Sequence, residues 1–387
     1  MSQLDKSTGY FAAYVVLGLV TASLGPTLPG LAENTGASLG TVGLLFTARA
    51  LGFTLGSLYG GRAYDRFHGH RVMVGVLLFI AITLALVPFA SLFWLLAAIM
   101  LALGFGEGSL DVGGNTLLVW LKGERVGPYM NAMHFFFGAG AFLSPIIIAQ
   151  VIGMSEGIAW AYWALAVLVV PVAIWLTRVP SPEPPAGSSE QKRVGGSSLL
   201  VFLVAAFFFL YVGAEASFGG WIFTYASQMN FEGQAVPETT AAYLTSAFWG
   251  ALTLGRLASI PLAARLRPSR LLILDLVGCL ASLATFLMWP RSSFILWLGT
   301  IGLGVFMASI FPTTFSFAER RMPISGRVTG LFFVGVGAGG MSLPWLVGRL
   351  FEVVGSNALP IVLTGDLIVG LGVLASLIGV ASGDSYP

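Results

Sequence analysis

Charge is what this sequence has least of. Only 9% of its 387 residues are Asp, Glu, Lys or Arg, whereas a water-exposed domain carries roughly 25%, so most of its surface must meet a solvent other than water. Cysteine is nearly absent as well: the lone Cys279 excludes an internal disulfide framework and a Cys-rich metal cluster. Excess positive charge is missing too, since a net charge of +2 leaves nothing with which to neutralise a row of phosphates, and nucleic acid is excluded as a partner. No stretch alternates apolar and polar residues over the ten or so positions of a membrane β-strand. What is present is apolar: 56% hydrophobic residues, a mean hydropathy of +0.88, and 50 glycines, well above the usual ~7% and suited to membrane helices that pack through small residues.

A membrane-spanning helix needs about 20 mostly apolar residues. Twelve such runs fall near 8–31, 40–63, 71–90, 92–119, 126–152, 158–177, 199–229, 239–264, 269–289, 293–318, 326–350 and 357–381. The first is too long for the apolar region of a signal peptide and is read as retained. The one long polar segment, RVPSPEPPAGSSEQKRVGGSS at 178–198, has the Pro, Ser and Gly content of a flexible linker. It separates six spans from six, giving an N-terminal bundle (1–177), a cytoplasmic linker (178–198) and a C-terminal bundle (199–387). The halves match in order: ASLG (22–25) with ASFG (216–219), TLG (54–56) with TLG (253–255), Arg66 and Arg71 with Arg265 and Arg270, and Gly138, Gly140 and Pro145 with Gly337, Gly339 and Pro344. The expected fold is therefore an all-α polytopic membrane protein, twelve transmembrane helices in two pseudo-symmetric six-helix bundles related by a parallel repeat.

Orientation follows from Lys and Arg, which cytoplasmic loops retain. With the N-terminus inside, Lys6, Arg62, Arg66, Arg71, Lys122, Arg125, Arg178, Lys192, Arg193, Arg265, Arg267, Arg270, Arg320, Arg321 and Arg327 all face the cytoplasm. Arg291 and Arg349 face out, beside Glu33, Glu156, Glu232, Glu238 and Glu352. Both termini and the linker are expected on the cytoplasmic side of a plasma (inner) membrane.

Charges inside spans are costly, so they mark functional candidates. They are Arg49, Glu107, Asp111, Glu215, Arg256, Asp275 and Asp366; the last two lie near helix ends, where a structural role is expected. Glu107, Asp111 and Asn115 are spaced by four on span four and form one polar stripe. Two carboxylates so close can load and release a proton or offer oxygen ligands to Na⁺; the alternative is an acid permanently bridged to Arg49 or Arg256. His134, with Asn131 a turn away on span five, can donate to and accept from a hydroxylated solute. Glu215 and Trp221 on span seven supply an acid and a ring on which a sugar could stack. Gly52, Gly56 and Gly60 repeat every four residues along span two, a pattern for close helix approach.

Several strings make the chain similar to known proteins. LGPTL (24–28), Arg49-Ala50-Leu51-Gly52, Asp111 with Gly113-Gly114-Asn115, HFFFGAGAF (134–142), YVGAEASFGGWIFTYA (211–226) and AAYLTSAFWGALTLGRLASIPL (241–262) resemble the sodium-dependent glucose transporter branch of the major facilitator superfamily and, more distantly, fucose permeases. In the permease comparison Asp111, Asn115, His134, Gly255 and Arg256 occupy positions of the family's pattern. The loop GGRAYDRFHGHR (60–71) resembles the major facilitator loop signature with one extra residue, which implies gating by Asp65, Arg66 and Arg71; the second half has Ala264 where Asp65 would recur. Fucose permeases carry a further acid on span one, where this chain has only Thr21, Ser23 and Thr27 among apolar residues, so Asp111 with Glu107 or Glu215 must supply any coupling.

The resemblance implies cation-coupled (Na⁺ or H⁺) symport of a monosaccharide-like solute. Asp111 and Glu107 would take the cation, Asn115, His134, Glu215, Trp221 and Asn131 the solute, and Arg49 and Arg256 would balance charge. Export of amphiphilic compounds or lipids, and a non-transporting membrane sensor, are the alternatives. No GxSxG elbow or HExxH is present, so an enzyme is not expected. The expected partners are the small solute and the bilayer, with no bound cofactor, in a monomer.

Overall fold

The computed structural model describes residues 3–155, 157–182, 198–231, 233–290, 292–322 and 326–383. Lys192 and Arg193 with most of the expected linker lie outside them, as do Glu156, Glu232 and Arg291. The described helices are α1 (Gln3–Thr21), α2 (Leu24–Thr35), α3 (Leu39–Val42), α4 (Leu44–Arg66), α5 (Gly69–Leu86), α6 (Phe93–Lys122), α7 (Val126–Met154), α8 (Ala159–Thr177), α9 (Ser198–Ser227), α10 (Glu238–Arg265), α11 (Pro268–Met288), α12 (Ser293–Met307), α13 (Ile310–Glu319), α14 (Gly326–Val354) and α15 (Ala358–Gly383). Between α9 and α10, β1 (Asn230–Phe231) pairs with β2 (Gln234–Ala235) across Gly233, whose φ of 83° suits the turn.

Ten stretches are long and apolar enough to cross a membrane, and α1 with α2 adds one bent by 43°. The last stretch, Val328–Val380, has 53 residues; at 1.5 Å per residue it would run about 80 Å, far beyond a ~30 Å hydrocarbon core. It is in fact α14 and α15, joined by a 3-10 turn at Gly355–Asn357, so the described residues hold the twelve expected segments. Large apolar side chains lie bare on the outside, Trp94 at 77% and Phe294 at 72% exposure among them. In water such a surface would aggregate; in lipid it is the correct one, and the chain is an integral membrane protein.

Proline explains two of the breaks within spans. A proline ring clashes with the carbonyl four residues earlier and supplies no N–H to it. Pro26 and Pro312 therefore act on Ala22 and Ala308, where α1 gives way to α2 and α12 to α13.

The chain forms two compact units, Met1–Ser188 with Pro237–Ser246, and Ser189–Val236 with Ala247–Pro387. In the first, α4 packs on α6, α1 on α7 and α5 on α8; in the second, α9 packs on α14 and α11 on α15. Glycine sets these approaches. A Cβ on Gly52 or Gly56 would run into the backbone of Leu101 or Phe105, and one on Gly104 or Gly108 into that of Arg49 or Phe53, so α4 and α6 touch backbone to backbone. Gly56→Ala is expected to force these helices apart and lower stability by about 1–3 kcal/mol, read as a lower midpoint of thermal unfolding in detergent; an unchanged midpoint would contradict the contact.

The same contacts recur in the second unit. Gly140 faces the Val15 carbonyl and Gly339 the Phe209 carbonyl; Gly104 faces the Arg49 carbonyl and Gly304 the Phe248 carbonyl. Val15 stands seven residues before ASLG and Phe209 seven before ASFG. The sequence repeat is thus a repeat of helix contacts.

Candidate functional site

In the first unit α6 projects Glu107, Asp111 and Asn115 along one face, and three other helices answer them. From α4, Arg49 grips Glu107 with two bonds, Nε to Oε2 at 2.6 Å and Nη2 to Oε1 at 2.8 Å. Its Nη2 also donates to the Val20 carbonyl at the end of α1, which Ser23 meets through its N–H and hydroxyl as well; a cation there meets the negative end of the helix dipole. Thr21 Oγ1 donates to Glu107 Oε1 at 2.8 Å. Glu107 is only 3% exposed, and its oxygens are committed to Arg49 and Thr21.

One turn along, Asp111 has a different set of neighbours. Tyr14 on α1 donates its hydroxyl to Asp111 Oδ1 and to the Asp111 carbonyl, both at 2.9 Å. Asn115 Nδ2 donates to the same carbonyl at 3.0 Å. Tyr14 comes this close because Gly114 lacks a side chain where the tyrosine ring lies, just as Gly113 makes room for Tyr64. His134 from α7 meets the Tyr14 ring edge-on at 5.6 Å between centroids. Asn131 lies exposed on the same helix. Asp111, Asn115 and His134 are all half-buried, so this end of the stripe is the more accessible one.

In the second unit Arg256 Nη2 stands 3.8 Å from Glu215 Oε1, both partly exposed. Trp221 departs from expectation. It is 0% exposed, stacks on Phe351 at 5.0 Å and donates Nε1 to the Pro344 carbonyl at 2.9 Å. The ring is a packing element between α9 and α14, with no face open to a solute. Asp275, at 4% exposure, accepts from Ser309 at the α12–α13 break, a structural contact of the kind its position suggested.

Asp65, Arg66 and Arg71 are exposed where α4 gives way to α5, and no ion pair joins them among the described residues. His70, beside them, is buried. Its Nε2 lies 2.8 Å from the Tyr10 hydroxyl and its Nδ1 2.7 Å from the Val179 carbonyl, tying α1 and the end of the first bundle to α5.

The two units differ chemically at equivalent positions. The glycine contacts place Phe208 where the first unit has Tyr14, and Phe311 and Phe315 where it has Asp111 and Asn115. Those rings pack together, Phe208 at 4.9 Å from Phe311 and 5.6 Å from Phe315. The architecture is repeated while the polar cluster is not. Tyr14 escapes sequence inspection: a single tyrosine within an apolar span carries no signal until α1 is laid against α6, and Gly113-Gly114 is its only indirect trace.

Helical repeats in lipid with charge buried inside each are the build of a membrane transporter rather than of an enzyme. Comparison with known proteins makes this specific. The Major Facilitator Superfamily model matches residues 10–344, and the chain belongs to that family. It is 34% identical over 378 residues to sodium-dependent glucose transporter 1 of Danio rerio, covering 88% of this chain and 63% of that one, and 31% identical to the Xenopus laevis protein of the same name, covering 86% and 73%. It is also 25% identical to human major facilitator superfamily domain-containing protein 4A, covering 91% and 87%. The chain thus spans somewhat under two thirds of the zebrafish relative. Among solved structures, a single-residue mutant of the nucleoside transporter NupG superimposes with a TM-score of 0.78 at 14% identity, covering 96% of this chain and 99% of that one. A D-xylose-proton symporter gives 0.73 at 11%, covering 95% and 97%. At these identities the structures speak for the fold alone.

Proposed function

We propose that the protein is a secondary transporter coupling Na⁺ or H⁺ to the uptake of a monosaccharide-like solute by alternating access. The observation that carries this reading is the Tyr14–Asp111–Asn115 cluster. It is a carboxylate within the membrane, bridged by neutral groups and half open, beside a second carboxylate already held by Arg49. In this reading Asp111 receives the coupling cation, and Glu107, the second acid of the stripe, exchanges between Arg49 and that cation. Arg49 and Arg256 keep the unloaded acids neutralised. Asn115, His134, Asn131 and Glu215 contact the solute, and Asp65, Arg66 and Arg71 gate the cycle. The named relatives support a sugar as solute. The protein would act as a monomer in the plasma (inner) membrane with both termini cytoplasmic, an orientation that the distribution of Lys and Arg among the loops supports.

Thermal unfolding of the purified protein with a sugar panel, with and without Na⁺ at two pH values, tests the reading. A ligand that binds only the folded state stabilises it by about 2.7 kcal/mol at a hundredfold excess over its Kd, a rise of several degrees. If Na⁺ is the coupling ion, the sugar shift requires Na⁺ and weakens as pH falls, because protons compete for Asp111. If H⁺ is, the shift grows as pH falls and ignores Na⁺. A panel without any sugar-dependent shift would refute the sugar assignment.

A further inference from the structure

Trp249 carries a buried donor with nothing to bond. The residue is 7% exposed, and its Nε1 has no hydrogen-bond partner among the described residues. An indole nitrogen can only donate, and leaving such a group unmet costs about 1–3 kcal/mol, so an occupant that supplies an acceptor gains what the empty protein forgoes.

The position of that donor is informative. Trp249 lies on α10 against Gly219 of α9, where a Cβ would come within 3.2 Å of Cε2, the ring carbon bonded to Nε1. The Cζ2–Cε2 edge of the indole, next to Nε1, therefore faces α9 at Gly219. Four residues earlier on α9 is Glu215, and seven residues later on α10 is Arg256; these two are paired across the same seam at 3.8 Å. Spacings of four and seven keep each pair on one helix face, and a four-residue step rises only about 6 Å. An unfilled N–H, a carboxylate and a guanidinium thus line one strip of the second unit. Glu215 and Arg256 are both partly exposed, so the charged end of the strip is reachable, while the indole N–H beside it is covered in this state.

We propose that Trp249 is a specificity-determining residue of the solute site, its Nε1 donating to a sugar hydroxyl. A hydroxyl both accepts and donates, so the same group can accept from the indole and donate to the Glu215 carboxylate, with Arg256 donating to a neighbouring oxygen. Trp249, and not the sealed Trp221, is the tryptophan that meets the solute. This deepens the sugar-transporter reading and rests on it.

The test is equilibrium binding of D-glucose and its 2-, 3- and 6-deoxy analogues to the full-length protein, comparing wild type with Trp249→Phe, which keeps an aromatic ring and removes the N–H. The variant is expected to bind D-glucose about tenfold more weakly, the worth of one neutral hydrogen bond. For the one analogue that lacks the bonded hydroxyl it should bind as wild type does. Unchanged D-glucose affinity, or equal loss across all four sugars, would overturn the proposal while leaving the transporter reading intact. If the wild type binds none of the four, the sugar reading falls and this proposal with it. Should Trp249→Phe unfold, Gly219→Ala decides: its methyl group displaces the donor edge, and the same pattern of loss is expected.

Discussion

Asp111→Asn is expected to abolish cation-driven accumulation of solute in reconstituted vesicles while leaving solute exchange between the two sides of the membrane. The side chains are nearly the same shape, and Asn keeps an oxygen that can accept from Tyr14, so the bond now 2.9 Å long can persist. What Asn lacks is a charge that a cation can neutralise. One charge moving down 100 mV supplies about 2.3 kcal/mol, enough for roughly 50-fold accumulation; without coupling, the concentrations inside and out simply equalise. A variant that concentrates solute as the wild type does would remove Asp111 from the coupling step. Because the second unit has Phe311 at the equivalent place, it offers no acid there to take over.

Arg49→Leu is expected to destabilise the protein by about 3–5 kcal/mol, the usual cost of stripping one partner from a buried ion pair. Glu107 would remain almost fully enclosed with its charge unopposed, and the Val20 carbonyl would lose one of its donors, keeping those of Ser23. The double variant Arg49→Leu/Glu107→Leu removes both charges and should recover most of the loss, since apolar replacements of a buried pair are often close to neutral. Thermal unfolding in detergent distinguishes the outcomes. Equal midpoints for the wild type and Arg49→Leu would mean that the pair contributes nothing to holding α4, α6 and α1 together.

Much of this molecule can be read from the chain. Period and composition are local properties, so the apolar runs mark the spans to within a few residues of their ends; α4, for instance, runs on to Arg66 where the apolar run stops near 63. Repeats survive as short strings because glycine contacts tolerate no substitute, and Gly140 and Gly339 are recognisable in both copies. Spacing by four is enough to put Glu107, Asp111 and Asn115 on one helix face. That one acid of the stripe could pair with Arg49 is legible as well, and Glu107 makes that pair.

Contacts between helices distant in sequence are another matter. Tyr14 is separated from Asp111 by 97 residues, and nothing in its neighbourhood distinguishes it from the other tyrosines. Trp221 and Trp249 look alike in sequence, two aromatic residues in apolar spans, yet one has its N–H satisfied by Pro344 and the other does not.

By itself, then, the sequence determined the solvent, the number and order of the spans, the repeat and the small set of charges that lipid would not tolerate without cause. Each of these follows from residue type and spacing along a single helix. The tertiary structure alone decided which acid is neutralised by Arg49 and which is left to Tyr14 and Asn115, and which tryptophan is sealed. Those outcomes depend on how closely two glycine-lined helices can approach, a distance that no single span encodes.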